Sequence, residues 1–142
     1  MKRSYLALAL LSAAALAFEV TLTRLFSVSQ WYHFAFLAVS VALLGYGASG
    51  TALSLAPRWV RPPTARRTAT LATLFALTVV SAHLGLNYLP FDSYRIAWER
   101  IQVLYLVLTY LALTVPFFCA GLITGLLLTA YPERSAGIYA AN

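Results

Sequence analysis

The sequence predicts an all-α integral membrane protein whose four transmembrane helices form an up-down bundle. First, four apolar stretches, at about 5–28, 34–56, 68–89 and 101–131, have the length of a spanning helix, which needs about 20 mostly apolar residues. Second, hydrophobic residues make up 61% of the chain and charged residues only 10%, whereas a soluble domain carries about 25% charged residues. Third, basic residues gather at the ends of these stretches. We expect a single transmembrane domain that covers residues 1–142.

The first span has an alternative interpretation. Lys2 and Arg3, the apolar run that follows and the small residues at 15–17 also fit a signal peptide, whose cleavage would remove residues 1–17. The apolar pattern continues to Val28, whereas a mature secreted sequence normally becomes polar after the cleavage site. We therefore expect the first helix to be retained, with cleavage as the alternative.

The connection between the second and third spans determines the predicted orientation. Cytoplasmic loops of membrane proteins carry an excess of lysine and arginine. Six basic residues lie at the N-terminus and in this connection, against three in the other two connections. The two groups are Lys2, Arg3, Arg58, Arg61, Arg66 and Arg67, and Arg24, Arg95 and Arg100. The bundle is therefore predicted to be N-in/C-in. Although the net charge is +6, no interleaved basic and aromatic face indicates nucleic-acid binding.

The fourth span is longer than a bilayer requires. About 30 residues reach about 45 Å, whereas the hydrocarbon core is about 30 Å thick. A tilt of the helix, or a kink at Pro116, is expected to accommodate the excess. Before this span, residues 94–100 are compatible with a short interfacial helix.

Glycines in the second and fourth spans are predicted to mediate helix packing. Residues 45–50 match the dinucleotide fingerprint G-x-G-x-x-G, but that motif requires a strand before it and a helix after it. Here it lies inside an apolar span, so no cofactor is predicted. Small residues let membrane helices approach closely. The packing set is Gly45, Gly47, Gly50, Gly121 and Gly125; packing within the chain is favoured over dimerisation.

A cluster of polar residues is predicted toward the outer side of the membrane. Glu19 is an acidic residue inside an apolar span, where an ionisable group usually faces a partner or a wet cavity. The candidate cluster consists of Glu19, Arg24, His33, His83 and Asn87. A structural hydrogen-bond cluster is the favoured interpretation, and a substrate or proton site is the alternative. No catalytic constellation is evident, and the two histidines and Cys119 lack further ligands at metal spacing.

The chain resembles the N-terminal membrane region of bacterial spermidine synthase-like proteins. In these fusion proteins, a transporter-like membrane part precedes an aminopropyltransferase- or methyltransferase-like domain. The resemblance covers almost the whole chain. It is carried by Phe18-Glu19, Leu22-Thr23-Arg24-Leu25-Phe26-Ser27, Trp31-Tyr32-His33-Phe34-Ala35-Phe36, residues 42–50, Pro116-Phe117-Phe118-Cys119-Ala120-Gly121 and Ile138-Tyr139-Ala140-Ala141.

This resemblance implies a truncated or split membrane part, because the family's nucleotide-binding domain and its catalytic carboxylates have no counterpart in residues 1–142. The expected function is a non-catalytic module of the bacterial inner membrane that anchors or partners a cytoplasmic transferase domain. The expected partners are the lipid bilayer and either that domain or further transmembrane helices. An accessory subunit of a larger membrane complex and a partial transporter are the alternatives.

Overall fold

A computed structural model describes residues 2–30, 34–56 and 65–142, without the side chains of residues 2–4. All regular secondary structure in these ranges is helical, which confirms the predicted all-α class. Two short 3₁₀ turns, Ser93–Arg95 and Pro132–Arg134, flank the fourth helix. The helices are α1 (Lys2–Ser29), α2 (Ala35–Leu55), α3 (Ala65–Tyr88), α4 (Ile101–Ala130) and α5 (Ser135–Ala141).

The helices α1 to α4 are long and apolar enough to cross a membrane, as the sequence predicts. The α3 helix begins at Ala65 rather than at the expected residue 68, and α4 ends at Ala130. A helix satisfies its backbone hydrogen bonds internally, which is the condition for crossing lipid. The expected interfacial helix at 94–100 is instead the short 3₁₀ turn at Ser93–Arg95 followed by hydrogen-bonded turns.

The core lies around α4, which packs against α2, α3 and α1. Phe117 is fully buried at its centre. The rings of Phe18 on α1 and Tyr46 on α2 lie 5.6 and 6.4 Å from the Phe117 ring, centroid to centroid. Leu113 of α4 belongs to the same cluster, together with Ala82 of α3. One aromatic side chain of α4 is therefore packed against two neighbouring helices.

Close approach of α2 and α4 depends on glycine. A Cβ atom on Gly45 would lie 2.6 Å from the Cβ of Phe117 and 2.8 Å from the carbonyl oxygen of Thr114. A Cβ on Gly121 would collide with the hydroxyl of Ser49, and one on Gly125 would lie 2.6 Å from Leu53. The contacts pair residues 45, 49 and 53 of α2 with residues 117, 121 and 125 of α4 in the same order, so the two helices run parallel.

Pro116 is fully buried within α4, and the helix is continuous from Ile101 to Ala130. Proline lacks the N–H that would bond to the carbonyl four residues earlier. The carbonyl of Ala112 therefore loses its usual helical donor, yet α4 continues past Pro116 without a break in secondary structure.

The short α5 helix folds back onto α1 and α4. Pro132 begins the 3₁₀ turn that separates it from α4. Ile138 of α5 is buried, and the Asn142 side-chain oxygen accepts hydrogen bonds from Ser12 at 2.8 Å and from Thr124 at 3.3 Å. This end of the bundle, where α1 and α3 begin, is called the α5 end below.

Large apolar side chains also cover much of the outer surface. Leu43 is 70% exposed and Phe36 is 69% exposed, both on α2. Leu10, Val80 and Leu111 are exposed on the other long helices. Exposed apolar surface on this scale is typical of helices whose surroundings are lipid or further apolar helices rather than water.

Candidate functional site

Glu19 lies on α1, one residue after the core residue Phe18, and its side chain is half-buried. The hydroxyl of Thr23 donates to the backbone carbonyl of Glu19 at 2.9 Å. Among the described residues, no side chain or backbone group donates a hydrogen bond to the Glu19 carboxylate. The carboxylate interacts electrostatically with the Tyr46 hydroxyl of α2. Tyr46 was not among the predicted partners.

The other predicted members of the polar cluster are not joined to Glu19 in the described part of the chain. Arg24, His83 and Asn87 have exposed side chains. The Asn87 amide donates to the backbone carbonyl of His83 at 3.1 Å, within α3 itself. His33 lies outside the described residues. Within the described residues, the side chains of the predicted cluster are therefore not bonded to one another.

Most hydroxyl groups on the long helices bond to their own backbone. Thr21 donates to Ala17 at 2.7 Å, Ser40 to Phe36 at 3.0 Å and Thr73 to Ala69 at 3.0 Å. Each hydroxyl bonds to the carbonyl four residues earlier, a common arrangement for serine and threonine in helices. These hydroxyls are occupied by local bonds.

A polar network that the sequence did not predict lies at the end of the bundle opposite the α5 end. The Gln30 amide donates to the carbonyl of Phe91 at 3.2 Å and accepts from the backbone N–H of Ser93 at 2.9 Å. The Gln102 side-chain oxygen accepts from the backbone N–H of Asp92 at 2.9 Å. These two amides hold residues 91–93 between the end of α1 and the start of α4. We call these five residues the glutamine network.

Charged residues extend the glutamine network toward its exposed side. Arg95 contacts the carboxylates of Asp92 at 3.4 Å and Glu99 at 3.3 Å. Glu99 also accepts from the Gln102 amide at 3.2 Å, and Asp92 accepts from the backbone N–H of Tyr94 at 2.9 Å. Because these ion pairs are solvent-exposed, they contribute little stability, about 0–1 kcal/mol each. The part-buried amide bonds of Gln30 and Gln102 are therefore the main interactions that hold this segment.

The glutamine network borders a groove of about 700 Å³. Tyr105 lines it, together with the acidic and basic side chains of the network. Ser93 is buried next to two residues that line it, and within the described ranges its hydroxyl has no hydrogen-bond partner. The polar side chains that line the groove are bonded to one another or to the connecting segment, and its arginine is paired with two carboxylates. This arrangement favours positioning of the segment over acid–base chemistry.

The predicted packing glycines fall into two groups. Gly45, Gly121 and Gly125 lie at the α2–α4 contact. Gly47 and Gly50 are exposed, and no described atom lies within 4 Å of a Cβ placed on either of them. All three glycines of the G-x-G-x-x-G pattern lie inside the continuous helix α2.

Potential metal ligands are scattered in the described ranges. No group of three or more His, Cys, Asp or Glu side chains that could hold a metal ion occurs there. Cys119 is buried on α4 with Ala15 and Phe75. Its neighbours are apolar, so Cys119 is a small residue of the core.

The fold and these polar groups are those of a helical protein with membrane-length helices. No protein-family model matches the sequence, and neither a curated protein nor a solved structure matches it significantly.

Proposed function

We propose that this chain is a non-catalytic membrane module, the membrane part of a spermidine synthase-like protein, which anchors or partners a cytoplasmic transferase domain. The module resides in a bacterial inner membrane as an up-down bundle with both ends of the chain in the cytoplasm. The four membrane-length helices support the membrane assignment. The named family and the transferase partner rest on the sequence resemblance described above.

The hydrogen-bond partners of the polar side chains support a structural role. Most hydroxyls of the long helices are bonded to their own backbone, and the two glutamine amides are bonded to a connecting segment. These groups stabilise helices and a loop. A scaffold or anchor requires this kind of bonding, whereas a catalyst needs groups that meet a substrate.

Co-expression tests the proposed partnership. A spermidine synthase-like domain from the same genome, produced without membrane helices, is expected to sediment with membranes when this chain is present. An unrelated four-helix membrane protein produced at the same level is the control. A transferase domain that stays in the soluble fraction in both cases would contradict the proposal. Copurification with unrelated membrane subunits would instead favour an accessory subunit.

One observation favours a second candidate, a partial transporter. The half-buried Glu19 carboxylate interacts electrostatically with Tyr46 and accepts no hydrogen bond within the described residues. Ionisable residues inside membranes often belong to substrate or proton pathways. Substrate-dependent uptake in vesicles that is abolished by Glu19→Gln, with normal protein levels, would support this candidate over the scaffold.

A further inference from the structure

A cavity of about 610 Å³ lies at the α5 end of the bundle, away from the glutamine network. Four helices contribute to its wall. The α1 helix contributes Tyr5, Leu8 and Leu11, and α4 contributes Ile123 and Leu127. The other wall residues include Ala65, Ala69 and Ala72 of α3 and Ile138 of α5.

The interior of this cavity is apolar because small and aliphatic residues face each other across it. Alanines on the α3 side leave space that larger side chains would fill. Leucine and isoleucine side chains form the opposite walls. Such a surface binds hydrocarbon, and the volume falls within the range of about 300–1,000 Å³ for ligand sites.

The rim carries hydroxyl groups and a positive charge. Tyr5, Thr68, Tyr131 and Arg134 all line the cavity. The Arg134 guanidinium lies 5.8 Å from the centre of the Tyr131 ring, and its Nε lies 3.9 Å from the Glu133 carboxylate. The Arg134 side chain remains 46% exposed, so it can contact a ligand at the rim while keeping these neighbours.

We propose that this cavity binds an anionic phospholipid, with an acyl chain inside and the phosphate at Arg134. An apolar chamber with a basic rim at the end of membrane-length helices matches the two halves of such a molecule. Basic pockets between transmembrane helices bind anionic headgroups. Arg66 and Arg67 follow the wall residue Ala65 directly along α3 and add positive charge near this rim.

The dimensions favour a lipid over an additional spanning helix. The wall residues of α1 run from position 5 to 11 and those of α3 from 65 to 72. At 1.5 Å per residue, these stretches cover about 10 Å along each helix. A spanning helix needs contact over about 30 Å. The cavity therefore accommodates the part of an acyl chain nearest the headgroup rather than a complete helix.

Native mass spectrometry of the detergent-purified, delipidated protein tests the site. The probes are phosphatidylglycerol and phosphatidylcholine with identical acyl chains. Both lipids carry a phosphate, but the choline cation leaves phosphatidylcholine with no net charge. The wild-type protein is therefore expected to retain phosphatidylglycerol about fivefold better, the effect of one basic residue near an anionic headgroup. Arg134→Gln should abolish this preference, and Arg134→Lys should restore most of it. Equal retention of both lipids by the wild-type protein would overturn the proposal.

A second variant tests the acyl-chain chamber. Ala72→Phe places a ring in the cavity and should reduce retention of both lipids severalfold. Ala17→Phe, at an exposed α1 position outside the wall, is the matched control and should retain lipid normally. Phosphatidylglycerol retention that is unchanged in Ala72→Phe would place the lipid elsewhere and contradict the site. If thermal unfolding shows that Ala72→Phe is misfolded, the Arg134 pair decides alone.

Discussion

The backbone N–H of Ser93 donates a hydrogen bond of 2.9 Å to the side-chain oxygen of Gln30, a residue 63 positions earlier in the chain. The same glutamine donates to the carbonyl of Phe91 at 3.2 Å. One side chain at the end of α1 thus substitutes for the backbone partners that a connecting segment lacks. Buried backbone groups left without such partners would destabilise the fold.

Each glutamine is predicted to protect a different backbone amide. Gln30→Leu should accelerate hydrogen exchange at Ser93, whereas Gln102→Leu should accelerate exchange at Asp92, because each substitution removes that amide's acceptor. Either change should cost about 1–3 kcal/mol of stability. Hydrogen exchange measured in detergent at residue resolution checks this, and each variant is the control for the other. Identical exchange patterns in the two variants would contradict the assignment.

The α2–α4 contact is predicted to distinguish two glycines only two positions apart. Gly45→Ala should destabilise the bundle by about 1–3 kcal/mol, because the new methyl group meets the backbone of α4. Gly47→Ala is the matched control. It should be neutral or slightly stabilising, because alanine favours helix and the position is open. Thermal unfolding of both variants in the same detergent is the measurement, and equal destabilisation would be inconsistent with this packing.

Glu19 is predicted to be energetically independent of His83 and Asn87. The structure gives both residues exposed side chains. Double-mutant cycles that combine Glu19→Gln with His83→Ala or Asn87→Ala should therefore give coupling energies below about 0.5 kcal/mol. Glu19→Gln combined with Tyr46→Phe should give a larger value, because the carboxylate interacts electrostatically with that phenol. Strong coupling to His83 or Asn87 would instead support the cluster that the sequence predicts.

The predicted orientation is tested by cysteine accessibility. In a Cys119→Ser background, Ala65→Cys should resist an impermeant thiol reagent in intact cells, because the basic side of the bundle is predicted to be cytoplasmic. Trp98→Cys should react, since Trp98 is 82% exposed beside the glutamine network. The reverse labelling pattern would invert the orientation. Equal labelling after membrane permeabilisation confirms that both thiols are reactive.

The four long helices could be predicted because their signal is local: each apolar stretch is continuous in sequence. The glutamine network could not, because Gln30 and Gln102 acquire their roles from a segment that is distant from Gln30 in sequence and reached only through a loop. The seven-residue α5 helix was also missed. It is too short to be stable alone, and its position depends on contacts with α1 and α4.

The packing glycines show how far a motif can be interpreted. Gly45 and Gly47 are two positions apart, so they project about 200° from each other around a helix. They cannot both face α4. The spacing identified the correct helix, but the contacting face is the one shared by Gly45, Ser49 and Leu53. Similarly, the position of an acidic residue inside an apolar span indicated Glu19. The sequence could not predict its interaction with Tyr46, because that residue lies on another helix.

The central position of α4 has a consequence for the biogenesis of the protein. Half of its most apolar stretch is buried in the bundle, compared with 11% for α3 and 22% for α1. Of the four long helices in residues 1–142, it is also the last to be synthesised. Before α4 is inserted, the faces of the three earlier helices that later contact it are therefore exposed to lipid or to insertion factors. The packing of these four helices is therefore completed only after α4 is inserted, and a nascent chain that stalls before Phe117 would be inserted without its central packing contacts.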